Sequence, residues 1–421
     1  MQKRSHIFFI GTFVLLFLFG ISILSLSNTE RKKKDELYQK IELFSSALGI
    51  IDSDYVEEVS YKDLIYGALK GMLSSLDAHS QFLDPESYNE LKVDTEGQFG
   101  GLGLEITIKE GLLTVVTPIE DTPAWKAGIK PNDRIVKIDG QLTRNITLND
   151  AVKKLRGKPG TEVSITIFRE AENKILDFKL TRDIIKLKDI KEAKILEDNI
   201  GYIRLVEFRE NTPEQLEEAL KKLKEQGLSG LILDLRNNPG GLLEVAVKVA
   251  GKFIEKGKLI VSTKGKKQSQ NISLFSKEKE PILDIPMVVL VNQGSASGSE
   301  IVAACLQDYK RAIILGEKTF GKGSVQTVFP LSDGSALRLT TSKYFTPNGR
   351  IIHNEGVMPD IIVESNKETA QQVSEKKPQD IFEQLEEKSV NLEEKMDYKE
   401  DIQLQRALDL LKAINIYQKR K

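Results

Sequence analysis

Residues 292–326, NQGSASGSEIVAACLQDYKRAIILGEKTFGKGSVQ, carry the clearest structural pattern in the sequence. Two apolar runs typical of buried strands, 285–291 and 312–315, each lead into a turn rich in glycine and serine. Between the two runs, residues 298–307 have the composition and length of a helix. This order of strand, turn, helix, strand and turn predicts an α/β core in which each turn exposes a reactive side chain.

The two turns carry a serine and a lysine that suit nucleophilic catalysis. Ser297 follows the first strand and Lys322 follows the second, so we interpret them as a nucleophile and its general base. Lys322 has to be neutral for that role, which burial achieves by lowering its pKa from about 10.4. Gln326, four positions further on, would hold the amine in place. Ser295 and Ser299 compete for the nucleophile role, although helix capping explains most serines at such positions.

Backbone amides beside Ser297 would stabilise the negative charge that develops during acyl transfer. Gly298 follows the nucleophile, and the positive end of its helix adds a favourable partial charge. The turn LDLRNNPGGLL, residues 233–243, offers a second amide from Gly240 or Gly241. Together these groups predict an oxyanion hole.

These turns admit two other interpretations. GEKTFGK, residues 316–322, fits the pattern of a phosphate-binding loop, but Gly323 replaces the required Ser or Thr and a strand-forming segment comes next. A histidine-based triad would use His353 or His79, and residue order alone excludes neither. The position of Lys322 in a turn favours the lysine.

The segments around these turns alternate between strands and helices. We predict a strand at 199–208, a helix at 212–226 that Thr212 caps, a strand at 230–235 and a helix at 242–253. A last amphipathic helix is predicted at 398–417.

A β-rich segment precedes this core. Within it, AWKAGIKPNDRIVKIDG, residues 124–140, resembles the signature of PDZ domains, which capture the C-terminus of a protein by adding it to a sheet edge. The loop that receives the carboxylate would be Gly100-Gly101-Leu102-Gly103. A glycine bulge that holds two strands together is the alternative for this loop.

The N-terminus predicts a membrane anchor. Residues 7–26, IFFIGTFVLLFLFGISILSL, are uncharged and long enough to span about 30 Å of hydrocarbon as a helix. A cleaved signal peptide is the alternative, supported only by a weak small-x-small cleavage motif at residues 25–27. The basic residues 31–34 would favour a cytoplasmic location for the segments after them, because segments rich in Lys and Arg beside a transmembrane helix tend to remain in the cytoplasm. Residues 35–83 are predicted to form a small helical segment.

Composition excludes several classes of function. The 421 residues carry a formal net charge of −1, so the protein has no overall positive electrostatic potential that would attract nucleic acid. Cys305 is the only cysteine, which excludes an internal disulfide and cysteine-based metal sites. The three histidines lie far apart without zinc-site spacing. We therefore predict neither a metal nor a cofactor.

The quoted motifs together resemble the C-terminal processing peptidases of peptidase family S41, also called tail-specific proteases. Two further stretches match the family: LIYGALKGMLSSLDAHSQFLDPE, residues 64–86, although Ala78 replaces the usual proline, and the GVMPD ending at 356–360. The resemblance implies that Ser297 is the nucleophile, Lys322 the base and Gln326 its orienting partner. Gly298 stands where alanine is more common in the family and keeps the amide.

The resemblance also implies a fold, a substrate class and a location. The core would be a crotonase- and ClpP-like α/β sandwich with an inserted PDZ domain and helical N- and C-terminal arms. The enzyme would be a serine endopeptidase that recognises exposed protein C-termini and cleaves near them. Arg156 is a candidate for relaying peptide binding to the active site, and a solvated arginine at the end of a helix is the alternative for this residue. Relatives work outside the cytoplasm, so a single-pass inner-membrane anchor with a periplasmic catalytic part is expected. The helical arms would form a homodimer.

These inferences define five segments. The anchor and basic juncture cover 1–34, the helical segment 35–96, the PDZ domain 97–182, the peptidase core 183–365, and a charged linker with the C-terminal helix 366–421. A non-catalytic PDZ scaffold that binds protein C-termini is the alternative function.

Overall fold

The computed structural model describes residue 32 and residues 34–279, 281–282, 285–365 and 400–418. The polypeptide divides after Phe82 into two compact units. The predicted anchor at 7–26 lies outside the described residues. Within the part of the sequence that the structure describes, no helix has the length and apolar character needed to cross a membrane.

The first unit is mainly helical. Its elements are α1 (34–54), α2 (Tyr61–Ser74) and the beginning of β1 (Gln81–Leu83). α2 begins after Ser60, whose hydroxyl accepts a hydrogen bond of 3.4 Å from the N–H of Asp63. The aromatic rings of Tyr66 and Phe82 lie 4.7 Å apart. The helical character predicted for this part of the sequence is confirmed.

The second unit opens with a β-rich domain built on a six-stranded antiparallel sheet. Its elements are α3 (Pro85–Glu96), β2 (Gln98–Gly101), β3 (Leu104–Lys109), β4 (Leu112–Pro118), α4 (Pro123–Lys126), β5 (Arg134–Ile138), β6 (Gln141–Leu142), α5 (Leu148–Leu155), β7 (Glu162–Arg169), β8 (Lys174–Thr181) and β9 (Asp183–Lys186). The strands follow the order β3-β4-β5-β7-β8, and β6 pairs with β5. Among the described residues β3 is therefore an edge strand. β2 and β9 form a separate antiparallel pair through which the polypeptide enters and leaves the domain.

The remaining elements form a mixed α/β core. They are β10 (Ile190–Ile195), β11 (Ile200–Leu205), α6 (Thr212–Glu225), β12 (Gly230–Asp234), α7 (Leu243–Gly251), β13 (Leu259–Gly265), β14 (Ser273–Phe275), β15 (Met287–Val291), α8 (Gly298–Asp308), β16 (Ile313–Gly316), β17 (Ser324–Pro330), β18 (Ala336–Phe345), β19 (Ile361–Ile362) and α9 (Ile402–Gln418). One sheet has the order β10-β11-β12-β15-β16-β19 and is parallel from β11 onwards. In a second, antiparallel sheet β18 pairs with both β17 and β13.

Helices cover both faces of the parallel sheet. Successive strand side chains point to opposite faces, and Leu233 packs into a buried cluster with α6, α7 and α8, whereas Ile232 packs into another with α9. Arg236, which follows β12, forms ion pairs of 2.7 Å with both Asp234 and Asp401 and so fixes the start of α9. The predicted α/β fold with an inserted β-rich domain and helical ends is confirmed.

The prediction that Thr212 caps α6 is wrong. The residue before the helix is Asn211, and Thr212 is the first helical residue. The Thr212 hydroxyl instead donates to Asp189 (2.7 Å) and accepts from the N–H of Arg209 (2.8 Å). A partner 23 positions away in sequence has replaced the local capping interaction.

Candidate active site

The turn between β15 and α8 exposes one of its three serines to a cavity. Ser295 and Ser299 are fully buried, and their hydroxyls donate to the carbonyls of Leu235 (2.7 Å) and Asn238 (2.9 Å). Ser297 is partly exposed and has a φ of 52°, which is unusual for a residue with a side chain. Strained backbone of this kind concentrates at functional sites. Ser295 and Ser299 thus serve the turn, while Ser297 is available to a ligand.

The cavity collects most of the predicted catalytic residues. Its volume is about 340 Å³. Its walls include the predicted residues Ser297, Lys322, Gln326, Gly240 and Gly241. Apolar side chains form much of the remaining wall, namely Leu91, Phe208, Leu242, Leu243, Ile301, Val325 and Val328. The fold therefore brings a serine, a lysine and a glycine turn to one largely apolar pocket.

The environment of Lys322 favours the neutral amine. The side chain is half-buried, and burial lowers the pKa of its amine below the ordinary lysine value. The positive charge of Arg338, on the same cavity wall, lowers this pKa further, whereas the carboxylate of Glu300 opposes the shift. A lysine with a lowered pKa is suited to accept a proton.

Glu300 joins the two turns through their N–H groups. This carboxylate is completely buried and accepts hydrogen bonds from the backbone N–H groups of Ser297 (2.9 Å), Gly321 (2.7 Å) and Lys322 (2.8 Å). The hydroxyl of Thr319 donates to it as well. Burial raises the pKa of Glu300, and these hydrogen bonds oppose that effect.

Glu300 was not among the site residues predicted from the sequence. The available signal was the S-x-x-E spacing of Ser297 and Glu300, the pattern of a capping box. Here the carboxylate returns to the N–H of Ser297 and also reaches the lysine turn.

The two glycines of the turn after β12 are not equivalent. The N–H of Gly240 donates to the side-chain oxygen of Asn238 (2.9 Å). Among the hydrogen bonds of the described residues, the N–H groups of Gly241 and Gly298 have no acceptor. Gly241 has a φ of 147°, and a Cβ at this position would lie 2.2 Å from the carbonyl oxygen of Phe208. Only glycine allows the backbone to follow this path.

Gln326 lines the cavity, and its amide nitrogen bonds one residue of its own strand β17 and one of the adjacent strand β18. Nε2 donates to the hydroxyls of Ser324 (2.9 Å) and Thr340 (3.5 Å). The contact between Gln326 and the amine of Lys322 stays a prediction.

The two rival interpretations find no support in the geometry. β17 begins at Ser324, directly after the GEKTFGK turn, where a phosphate-binding loop requires a helix. No histidine is among the described residues that line the cavity. His353 packs with its backbone against Gly323, and His79 belongs to the first unit.

The four residues of the predicted carboxylate loop fall into two structural groups. Gly100 and Gly101 belong to β2 and pair with Ile184 and Asp183 of β9. Leu102 and Gly103 form the turn into the edge strand β3, and Gly103 has a φ of 75°. Only the second pair thus has the position expected of a carboxylate loop.

Arg156, the predicted relay residue, is held away from the cavity in this structure. Its guanidinium carbon lies 4.3 Å from the ring centroid of Phe99 in β2. The N–H of Gly157 donates to the carbonyl of Gly100 (3.0 Å), which ties the end of α5 to the same strand. A role for Arg156 in gating stays a prediction.

Three family models match the sequence. Peptidase family S41 matches residues 199–363, the PDZ domain matches 114–169, and the "Activating protease CtpB N-terminal domain" matches 20–87. The first two matches lie in the α/β core and in the β-rich domain, respectively.

Relatives align over most of the sequence. The carboxy-terminal-processing protease of Bartonella bacilliformis is 44% identical over 365 residues, which are 86% of this chain and 83% of the relative. The carboxy-terminal processing protease CtpA of Bacillus subtilis is 36% identical over 368 residues, 86% of this chain and 78% of the relative. A solved photosystem II D1 C-terminal processing protease is 33% identical, covers 76% of this chain and 86% of its own, and gives a TM-score of 0.44.

Proposed function

The chain belongs to peptidase family S41, with relatives that are carboxy-terminal processing proteases, and on this premise we propose that it is a serine endopeptidase with a Ser297–Lys322 dyad. The observation that carries the proposal is the shared cavity. It contains a partly exposed serine, a lysine whose pKa is lowered and a glycine turn in which one N–H group has no acceptor among the described residues.

The proposed reaction proceeds by acyl transfer. Neutral Lys322 takes the proton of the Ser297 hydroxyl while Oγ attacks the carbonyl carbon of the scissile peptide. The N–H groups of Gly298 and Gly241 would stabilise the resulting oxyanion. The protonated lysine then gives its proton to the leaving amine, and the first product departs. Water, activated by the same lysine, hydrolyses the acyl-enzyme and regenerates Ser297.

The oxyanion role is assigned to Gly241 rather than Gly240. The N–H of Gly240 already donates to Asn238, whereas that of Gly241 has no acceptor among the described residues. Gln326 would contact the lysine amine once substrate binds, and in the present geometry it bonds Ser324.

We assign substrate selection to the PDZ domain. Its strand β3 is an edge of the sheet in the described part of the sequence, so an extended peptide tail can add to it. Leu102 and Gly103 stand at the beginning of that strand, where the N–H groups for a terminal carboxylate are expected. The substrates would therefore be proteins with exposed C-termini.

Several sequence predictions enter this proposal unchanged. They are the membrane anchor at 7–26, a catalytic part outside the cytoplasm, a homodimer formed by the helical arms, and the segment boundaries 97–182 and 183–365, although β9 at the start of the second segment pairs with β2 of the first. Digestion of intact spheroplasts by an added protease would measure the topology, and the proposal expects the catalytic part to be accessible.

Replacing the nucleophile tests the proposed function. Ser297→Ala should abolish cleavage of an unfolded protein with an apolar C-terminal tail, while Ser332→Ala, at an exposed serine, should cleave at the wild-type rate. Both variants should show wild-type circular dichroism and bind the tail peptide. Cleavage retained by Ser297→Ala would contradict the dyad. Tail binding by wild-type protein without any turnover would favour the scaffold alternative.

A further inference from the structure

Tyr344 is fixed in the core, where it forms part of the wall of the active-site cavity. It lies in β18 with 1% of its surface exposed, and its ring packs in the main apolar cluster. Its backbone N–H donates to the carbonyl of Gly323 (3.0 Å), one residue after the lysine. The side chain is therefore held by both its ring and its backbone.

The hydroxyl of Tyr344 reaches both catalytic turns. It donates toward the carbonyl oxygen of Ser297 at 3.3 Å and to the carbonyl oxygen of Lys322. A phenol carries one proton, so the two carbonyls share a single donor. Two backbone groups that are 25 residues apart in sequence, 322 minus 297, thus meet at one atom.

The contacts of Tyr344 complement those of Glu300. The carboxylate holds the N–H groups of Ser297 and Lys322, and the phenol holds the carbonyl groups of the same two residues. Each catalytic residue is thereby restrained on both sides of its own Cα atom. Restraint of this kind is needed because small displacements of reacting groups cost large factors in rate.

Tyr344 remains a donor over the pH range in which the lysine works. Burial raises the pKa of its phenol well above the ordinary value, while burial lowers the pKa of Lys322. The hydroxyl therefore keeps its proton at pH values at which the amine has lost one.

We propose that Tyr344 is a positioning residue for the Ser297–Lys322 dyad, whose hydroxyl fixes the separation of the two turns through their carbonyl groups. The inference rests on the proposed peptidase function. It assigns Tyr344 no contact with the substrate and no proton transfer.

The test is Tyr344→Phe, which keeps the ring and removes the hydroxyl. We expect kcat to fall about 10- to 100-fold with KM changed less than about twofold, because substrate binding does not use this group. Phosphonylation of Ser297 by a small fluorophosphonate, in which Oγ attacks phosphorus and fluoride leaves, should slow by the same factor when normalised to folded protein. Replacing Tyr344 with 4-aminophenylalanine, which restores an N–H donor, should recover most of the rate.

The matched control is Tyr309→Phe. Tyr309 also donates its hydroxyl to a backbone carbonyl, that of Leu259 (2.9 Å), and it lies outside the cavity. This variant should keep the wild-type kcat. A wild-type kcat in Tyr344→Phe, or no recovery with 4-aminophenylalanine, would overturn the inference. An active Ser297→Ala would instead overturn the proposed function, so the two failures are distinguishable.

Discussion

At the scale of single residues, the proposed mechanism depends on the charge state of Lys322. Its amine is half-buried beside Arg338, and both burial and this positive charge lower its pKa. Because the base has to be neutral, activity rises as pH rises through this lowered pKa and then reaches a plateau. The midpoint of the rise in kcat should lie below about 10.4, the ordinary lysine value.

Replacing Arg338 tests the cause of this shift. Arg338→Gln removes a neighbouring positive charge, so the pKa of Lys322 should rise and the midpoint of the pH–kcat profile should move to higher pH. Arg204→Gln, at an exposed arginine of β11, should leave the midpoint in place. A midpoint that does not move in Arg338→Gln would exclude this charge as a cause.

Glu300 makes a second prediction at this scale. Glu300→Gln retains the shape but presents an amide to a cluster of N–H donors, so some of them lose their acceptor. Each buried donor left without a partner costs about 1–3 kcal/mol. We expect a lower melting temperature and a kcat reduced about 100-fold. Wild-type kcat in this variant would show that the N–H contacts do not position the dyad.

Residue types at the site were predictable where the signal was local. Ser297, Lys322 and the glycine turn each follow an apolar strand in the sequence, and all three line one cavity. Tyr344 had no such signal, because it is 47 positions from Ser297 and reaches it only through sheet pairing. Glu300 had a weak one in its capping-box spacing.

At the scale of elements, the proposed oxyanion role of Gly241 requires the turn after β12 to keep its path. Gly241→Ala places a Cβ about 2.2 Å from the carbonyl oxygen of Phe208, so the turn must move. Loss of one oxyanion donor costs about 10²- to 10³-fold in kcat.

The matched control for this variant is Gly257→Ala. Gly257 also has a positive φ, of 82°, but a Cβ there meets nothing within 4 Å. The Gly257→Ala variant should have a somewhat lower free energy of unfolding and the wild-type kcat. Equal kcat values for the Gly241 and Gly257 variants would contradict the oxyanion assignment.

The C-terminal helix α9 is predicted to stabilise the parallel sheet. Leu408 is 1% exposed and packs against the face of the sheet opposite α6, α7 and α8. Leu408→Ala should reduce the free energy of unfolding by about 2–5 kcal/mol in denaturant titration. Ile416→Ala, at a residue 57% exposed on the same helix, should change it by less than about 0.5 kcal/mol. Equal effects would mean that α9 does not dock through this face.

Elements were predicted best where periodicity was strong. The helices α6 and α8 begin at the expected residues, Thr212 and Gly298, because their apolar spacing was clear. The cap of α6 was mistaken, since Asp189 supplies Thr212 with a tertiary partner. Gly100 and Gly101 were expected in a loop, but β9, more than 80 residues later, pairs with them as a strand.

At the scale of the whole molecule, we predict that tail recognition by the PDZ domain and cleavage in the core are separate steps. Gly103 precedes β3 with a φ of 75°, and a Cβ there would lie 2.3 Å from Thr122. Gly103→Ala should therefore distort the carboxylate loop, raise KM for a protein substrate with a free C-terminus and leave kcat for a short peptide unchanged.

Two controls isolate that effect. Gly111→Ala has a similar φ, of 74°, with open space around it, so KM should stay at the wild-type value. With a substrate whose C-terminus is amidated, wild type and Gly103→Ala should have the same, high KM. A difference that persists with the amidated substrate would contradict carboxylate capture by this loop.

Covalent labelling would show whether Ser297 is the nucleophile and Lys322 its base. The enzyme would be treated with a fluorophosphonate over a range of pH and the adduct located by peptide mass spectrometry. We expect one adduct, on Ser297, that forms faster as pH rises and does not form in Lys322→Arg, because arginine stays protonated. An adduct on another residue, or undiminished labelling of Ser297 in Lys322→Arg, would contradict it.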